Sequence, residues 1–181
     1  MFEVISEVKI NEQELARRAM IDEEYRNKIL ALAKIVQGSG SFIQKRVVCK
    51  RLFDWFCNNV SYDYEILKNK KDSGAYMPTK YIYNGCEIFS SEKYAAILLK
   101  KGGCTAFAEA FKDVCELLNI NCKVVSGSDK EVILPTFRIA HSWNEVTIDG
   151  KRATVDLDPH FRTFMSAPRT HQTFVIRSVK K

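Results

Sequence analysis

The sequence predicts an α+β domain in which helices come first and an antiparallel sheet follows. Two observations support this prediction. Apolar residues recur at roughly helical spacing as far as residue 118, whereas from Asn119 onward they alternate with polar residues, as in half-buried strands. The dipeptide Asp149-Gly150 separates two alternating runs and is typical of a tight hairpin turn. Helices followed by hairpin-connected strands indicate a helical layer packed on an antiparallel sheet.

The N-terminal part of the chain is predicted to be an extension of the main domain. Residues 1–10 alternate weakly and predict a strand, and residues 11–36 are rich in helix-forming residues and predict a first helix. The Gly-Ser run at residues 38–41 then interrupts the pattern. We therefore expect an extension over residues 1–40 and a main domain over residues 41–181.

The main domain is predicted to contain three helices and four strands. Between the first two helices, residues 62–89 hold five of the seven tyrosines and a hairpin signal at Asn84-Gly85, so this segment is a candidate cleft wall. The predicted helices span residues 42–60, 92–100 and 104–118, and the predicted strands span residues 122–125, 136–148, 151–157 and 173–179.

Composition excludes several classes of protein. With 46% hydrophobic and 28% charged residues the chain is typical of a globular protein, and it lacks the uninterrupted apolar run of ~20 residues that a membrane span requires. Residues 1–10 do not resemble a secretory signal. The six cysteines form no CxxC pair, so we expect free thiols, no metal cluster and a cytoplasmic location.

The charge pattern gives little support to a nucleic-acid partner. The net charge is +6, and no acidic residue follows Asp158. A basic end can attract nucleic acid, but a solvated surface that keeps the protein soluble is the more common explanation. No phosphate-binding loop or basic-aromatic RNA-binding motif is present in the sequence.

Cys104 is the candidate nucleophile. It follows Gly102-Gly103 and opens a predicted helix, whose first amides have no intrahelical partner and favour a thiolate. The glycines leave room for another group to approach the sulfur. Cys104 also continues the apolar stripe of this helix, so a buried, inert cysteine is the alternative. Cys115, inside the helix, is expected to be of that inert kind.

His141 is the candidate base. It lies in a strand-like run at residues 140–146, where a lone histidine is more often structural. Beside a polarised cysteine it becomes the partner that a thiol nucleophile needs. The other two histidines, His160 and His171, fall near predicted loops or the basic C-terminal end and are not predicted to take part.

Asp156 is the candidate acid that orients His141. The hairpin at Asp149-Gly150 returns the chain antiparallel to the histidine strand and brings Asp156 near its open end. The apolar neighbours of Asp156 in the sequence indicate buried surroundings, in which a carboxylate needs a partner. Asp158 shares the same strand face and is the second candidate.

These residues resemble the ordered motifs of the transglutaminase-like superfamily of papain-related cysteine enzymes. Gly-Gly-Cys opens a helix, His-Ser-Trp-Asn-Glu-Val lies on a strand and Val-Asp follows a hairpin, and the resemblance covers residues 45–159. It implies that Cys104 is the nucleophile, His141 the general base and acid, and Asp156 the orienting carboxylate. It also implies a papain-like fold, in which the catalytic helix packs on an antiparallel sheet that carries the histidine and the aspartate.

The chain departs from the family pattern in two places. Arg152 and Ala153 stand where members usually carry an aromatic residue, and Asp158 stands where a threonine is common. Both departures leave the predicted triad intact and bear on the substrate class. The candidates for stabilising an oxyanion or lining the cleft are Gly103, Tyr62, Tyr64 and Trp143.

The resemblance implies a cysteine enzyme that acts on a peptide or carboxamide bond of a peptide or protein substrate, without a metal or organic cofactor. Hydrolysis, as in a cysteine protease or amidase, is favoured over amine cross-linking because the net charge of +6 repels a cationic lysine acceptor. The alternatives are a protein-glutamine transglutaminase, an arylamine-type acyltransferase and a non-catalytic binding scaffold that retains the triad.

Overall fold

The computed structural model describes residues 12–39, 43–69, 77–128 and 140–168. Two predicted strands, at residues 1–10 and 173–179, lie outside these described residues. The division of the chain at residue 40 therefore stays a prediction.

Three α-helices form where the sequence predicts them. They are α1 (Glu12–Gln37), α2 (Lys45–Asn59) and α3 (Cys104–Leu117). Helix α1 ends at Gly38, whose positive φ of 71° and amide bond to the Lys34 carbonyl are typical of a glycine that terminates a helix. No helix among the described residues has the length and apolar character needed to cross a membrane.

Short elements connect α2 to α3. A 3₁₀ turn spans Tyr64–Lys68, and the short helix predicted near residue 95 is a π-helical turn at Ala95–Leu99. The predicted hairpin at Asn84-Gly85 is confirmed: both residues have positive φ and join β2 (Lys80–Tyr83) to β3 (Cys86–Phe89). Strands β1 (Ser61–Tyr62) and β4 (Lys101–Gly102) pair in parallel and lead into α3.

The main sheet is antiparallel, with strand order β5-β6-β7-β8. The hairpin at Asp149-Gly150 is confirmed, since both residues have positive φ and join β6 to β7. Strand β8 pairs with β7 and was not predicted, because four residues after a turn give too short an alternation to recognise. The strands are β5 (Asn121–Ser128), β6 (Ala140–Ile148), β7 (Lys151–Asp156) and β8 (Thr163–Ser166).

Helix α3 is the centre of the core. One side of it packs on β5 and β6, and α1 and α2 pack on its remaining surface. Phe111 and Val114 of α3 are fully buried against the core, as are Val146 of β6 and Val155 of β7. The α+β prediction of a helix packed on an antiparallel sheet is confirmed. The fold places the first residue of α3 beside the open end of the sheet.

Replacing Gly102 should cost more stability than replacing Gly103. A Cβ on Gly102 would lie 2.8 Å from Ala106 Cβ and 3.1 Å from the Ser90 carbonyl oxygen, both fixed by backbone. A Cβ on Gly103 would instead meet the mobile end of Ile66 at 3.0 Å. We expect Gly102→Ala to lower the free energy of unfolding by about 1–3 kcal/mol, as overpacking does, and Gly103→Ala to lower it less.

Urea unfolding of both variants measures this difference. Each substitution replaces a glycine and so lowers the conformational entropy of the unfolded chain. This effect on the free energy of unfolding is common to both variants and cancels in the comparison. Equal losses in the two variants would contradict the packing argument.

Candidate active site

Two side-chain contacts fix α3 on β6. The buried Asn144 amide donates from Nδ2 to the Ala108 carbonyl at 2.8 Å. The hydroxyls of Thr105 and Ser142 are hydrogen-bonded at 3.2 Å, and Ser142 Oγ is also 2.9 Å from Ser126 Oγ on β5. Thr105 and Ser142 are the direct neighbours of Cys104 and His141 in the sequence. These contacts therefore set the position of the cysteine relative to the histidine.

Cys104 is the first residue of α3, as predicted, and it is half-buried. The preceding Gly103 donates its amide to the Ser90 carbonyl at 2.8 Å, so this amide is committed to holding the loop. The first-turn amides of a helix, that of Cys104 among them, have no intrahelical acceptor and carry the positive end of the helix dipole. The sulfur thus lies beside backbone donors that favour negative charge.

His141 and Asp156 are joined by a buried hydrogen bond. His141 Nε2 lies 2.8 Å from Asp156 Oδ2, and both side chains are at most 3% exposed. The other oxygen of Asp156, Oδ1, accepts from the Asp158 amide at 3.1 Å. Strand β7 pairs with β6 from Ile148–Lys151 to Asn144–Val155, and Asp156 is the last residue of β7. The carboxylate is therefore held from both sides and turned toward the imidazole.

The imidazole connects Asp156 to Cys104. His141 is hydrogen-bonded to Asp156, and one of its nitrogens lies within 4.8 Å of Cys104 Sγ. Burial alone would lower the pKa of His141, but the hydrogen bonds and charges of Asp156 and Cys104 outweigh it and raise the pKa to about 9. The charged imidazolium is then the favoured form at neutral pH. Such an imidazolium stabilises a neighbouring thiolate and holds a proton ready for transfer.

Asp158 lies on the other side of the imidazole from Asp156. Its Oδ2 is 3.9 Å from His141 Nδ1, whereas Asp156 binds Nε2. Its Oδ1 accepts from His160 twice, from the backbone amide at 2.9 Å and from Nδ1 at 2.7 Å. One imidazole nitrogen of His141, Cys104 Sγ and one oxygen of Asp158 all lie within 4.8 Å of one another. A second buried carboxylate therefore stands beside the sulfur.

Two aromatic rings hold the imidazole in place. Trp143 stacks on His141 with ring centroids 5.9 Å apart and an angle of 24° between the planes. Phe161 contacts the same ring at 4.4 Å. Trp143 is only 2% exposed, so it supports the histidine from within the core instead of forming an open cleft wall. This packing limits the rotation of the imidazole away from Asp156.

Tyr62 is better placed near the sulfur than Tyr64. Burial, followed by the charges of Asp158 and Cys104, raises the pKa of Tyr62, so its phenol stays protonated and can donate a hydrogen bond. The Tyr64 side chain is 54% exposed, and its ring packs 5.2 Å from Tyr62 and 5.9 Å from His160. Of the two candidates, Tyr62 is the more buried.

Sequence reasoning missed two residues of this site, His160 and Phe161. Both residues follow Asp158 in a turn, where the sequence had indicated only a loop. The one available signal was the spacing Asp-Pro-His, because an aspartate often accepts the amide two residues ahead of it. That spacing does not reveal that the His160 ring also turns back onto Asp158.

The six cysteines are all free thiols in the structure. Four of them are buried, and only Cys57 shares the half-buried state of Cys104. Burial raises the pKa of Cys57. Hydrogen bonds with Cys122 and Cys49, together with burial, raise the pKa of Cys115 far above its ordinary range. Cys104 is thus distinguished from the others by its position at a helix start beside an imidazole.

Several known proteins are similar to this chain. Kyphoscoliosis peptidase of Mus musculus is 25% identical to this chain over an alignment of 112 residues. The match covers 59% of this chain and 14% of that protein. The chain thus spans about a seventh of the length of this curated relative.

Two solved structures are similar to this chain. The alignment with a structure described as a TGase covers 92% of this chain and 37% of the TGase chain, with a TM-score of 0.50 and 20% identity. A second structure is that of a protein from Cytophaga hutchinsonii, described as a candidate cysteine protease. The alignment with it covers 86% of this chain and 45% of that chain, with a TM-score of 0.45 and 18% identity. The similarity to the TGase structure, at 20% identity, speaks to the fold alone.

A sequence model of the transglutaminase-like superfamily matches residues 32–159, from the last turns of α1 to the turn after β7. This match covers more than two thirds of the chain and includes all three residues of the predicted triad. The chain belongs to the transglutaminase-like superfamily.

Proposed function

We propose that this protein is a thiol-dependent hydrolase that cleaves a peptide or carboxamide bond through an acyl-enzyme. The observation that carries the proposal is the buried 2.8 Å hydrogen bond from His141 to Asp156, with Cys104 Sγ within 4.8 Å of a nitrogen of the same imidazole. Cys104 is the nucleophile, His141 the general base and acid, and Asp156 the residue that orients the imidazole. The transglutaminase-like family acts on protein or peptide substrates, which supports a substrate of that class.

The reaction proceeds in two halves. The Cys104 sulfur attacks the substrate carbonyl carbon and forms a C–S bond, while the carbonyl oxygen becomes an oxyanion. His141 delivers its proton to the departing nitrogen as the C–N bond breaks and the amine leaves. Water then attacks the thioester carbon as His141 accepts its proton, the C–S bond breaks, and the carboxylic acid leaves while the Cys104 thiolate and the His141 imidazolium are restored.

Two groups are suited to the oxyanion. The Cys104 amide lies at the N-terminus of α3, where backbone donors and the helix dipole favour negative charge. The Tyr62 phenol stays protonated beside Cys104 and Asp158. In a partly enclosed site each such donor lowers the barrier more than it would in water, because it is already oriented.

Charge and exposure favour water as the acyl acceptor. Transfer to an amine requires a site that binds the amine and excludes water from the thioester. The chain carries a net charge of +6, which repels a cationic lysine, and Cys104 is half-buried, so solvent reaches it. The mouse relative is named a peptidase, which agrees with hydrolysis. Cross-linking by a protein-glutamine transglutaminase and acyl transfer by an arylamine-type enzyme use the same first half-reaction, so the acceptor distinguishes them.

Cys104 should be the most reactive of the six thiols near neutral pH. Limited treatment of the native protein with iodoacetamide, followed by peptide mapping, should label Cys104 first, because an imidazolium and a helix N-terminus stabilise its thiolate. Cys57 is the internal control, since it is comparably exposed and burial raises its pKa. Preferential labelling of Cys57 would remove the nucleophile assignment and leave a binding scaffold as the better explanation.

Asp156 should matter more than Asp158 for turnover. Asp156→Asn removes the carboxylate on Nε2, and we expect kcat to fall by about 10²–10⁴-fold, as when an acid–base partner is lost. Asp158→Asn changes a group that faces Nδ1 only at 3.9 Å and should cost about tenfold or less. Steady-state kinetics on a peptide substrate, with circular dichroism to verify folding, measure both effects. The reverse ranking would assign the orienting role to Asp158.

The acyl-enzyme should partition toward water. With a peptide or carboxamide donor and a labelled primary amine at millimolar concentration, we expect the hydrolysis product to exceed the labelled conjugate, for the reasons of charge and exposure given above. Cys104→Ala should abolish both products and serves as the control. Amine incorporation that outruns hydrolysis would replace the hydrolase with a cross-linking enzyme and leave the triad unchanged.

A further inference from the structure

We propose that Cys104, His141 and Asp158 bind one zinc ion, which blocks the nucleophile reversibly. Sulfur, nitrogen and oxygen ligand atoms from these three side chains all lie within 4.8 Å of one another. The binding itself does not depend on catalysis, whereas its inhibitory effect rests on the proposed function of Cys104. Zinc acts here as an inhibitor and is not a cofactor of the reaction.

The three ligand atoms lie within 4.8 Å of one another and must move somewhat closer together to form a tetrahedral zinc site. Zinc–sulfur, zinc–nitrogen and zinc–oxygen bonds of typical length place neighbouring ligand atoms about 3.4–3.6 Å apart. His141 Nδ1 and Asp158 Oδ2 are 3.9 Å apart, so they need to approach by only about half an ångström. Side-chain rotation of this size leaves the strand backbone in place.

The nitrogen ligand, His141, and the oxygen ligand, Asp158, already have the supporting partners that zinc ligands normally have. His141 gives its remaining nitrogen, Nε2, to Asp156 at 2.8 Å, which is the arrangement of a carboxylate–histidine–zinc triad. Asp158 uses Oδ1 for His160 at 2.7 Å and leaves Oδ2 facing His141. The imidazole and the carboxylate are thus oriented toward one point beside the sulfur before any metal arrives.

The ligand types select zinc over calcium and magnesium. A thiolate and an imidazole with one carboxylate suit zinc, whereas calcium and magnesium take oxygen ligands in larger numbers. Three protein ligands leave a fourth tetrahedral position for water, and the half-buried Cys104 gives solvent access to it. The site is therefore complete for zinc without a ligand from any other chain.

Occupation of this site stops the proposed reaction at its first step. The Cys104 sulfur lone pair that would attack the carbonyl is bound to zinc, and Nδ1 of His141, which faces the sulfur, is bound as well. The zinc ion then lies between the imidazole and the sulfur and separates the base from the nucleophile. A chelator removes the ion and restores the thiol–imidazole pair, so the block is reversible.

Zinc titration of the 181-residue chain tests this proposal without relying on turnover. Isothermal titration with zinc chloride, in a buffer that contains a non-thiol phosphine reductant, should give one ion per chain at micromolar affinity or tighter. Asp158→Asn should weaken binding by about tenfold or more, and Cys104→Ser should weaken it further. Asp54→Asn is the matched control: Asp54 is exposed on α2, where it pairs with Lys50, and its loss should leave binding unchanged.

A second readout uses the unmodified protein, so it does not depend on the folding of any variant. Stoichiometric zinc should protect Cys104 from iodoacetamide, and a chelator should restore labelling. Cobalt substitution should add a thiolate-to-metal absorption band that Cys104→Ser lacks. Absence of stoichiometric binding, binding that survives in both Cys104→Ser and Asp158→Asn, or unprotected Cys104 at saturating zinc would overturn the site. If the chain binds zinc at this site but shows no hydrolysis, the proposed function is contradicted and the zinc site is not.

Discussion

The attachment of α3 to β6 is the constraint on which the site depends. Cys104 and His141 are 37 residues apart in the sequence, and nothing local brings them together. The bond from Asn144 to the Ala108 carbonyl and the contact between Thr105 and Ser142 fix the helix on the strand next to both residues. Because interiors are close-packed, a shift of α3 along β6 would disturb the core and the site together.

Burial of three ionisable side chains is the second feature that the structure must accommodate. His141, Asp156 and Asp158 are each at most 3% exposed, and an unpaired charge in such surroundings would be strongly destabilising. Each of them has partners: His141 binds Asp156, Asp156 also accepts from the Asp158 amide, and Asp158 accepts from His160. The network is therefore satisfied internally, while the sulfur at its end remains accessible.

The same arrangement explains why the proposed hydrolytic site can also serve as the proposed metal site. A nucleophilic cysteine needs a nearby imidazole, and the imidazole needs a carboxylate on its other nitrogen. Those two requirements already supply the sulfur ligand, the nitrogen ligand and the supporting carboxylate of a zinc site. Asp158 adds an oxygen near the sulfur. The position of Asp158 after β7 decides whether a metal can control the chemistry of this cleft.

The sequence by itself determined the parts of the site that depend on local pattern. Two glycines before Cys104 indicated a helix start with open amides, and the Asp149-Gly150 turn indicated that Asp156 returns toward the strand of His141. Helical and alternating periodicity likewise predicted α1, α2, α3, β6 and β7, because these periods follow from which residues one face buries.

Tertiary structure decided the rest, because distance, burial and the choice between equivalent groups depend on contacts between distant segments. Only the packed structure shows that Asp156 binds Nε2 of His141 while Asp158 faces Nδ1. It also shows that His160 turns back onto Asp158, that Trp143 supports the imidazole from within the core, and that the Gly103 amide is committed to Ser90. Each of these facts requires a side chain to meet a partner from another turn, strand or loop, and a one-dimensional pattern carries no such geometry.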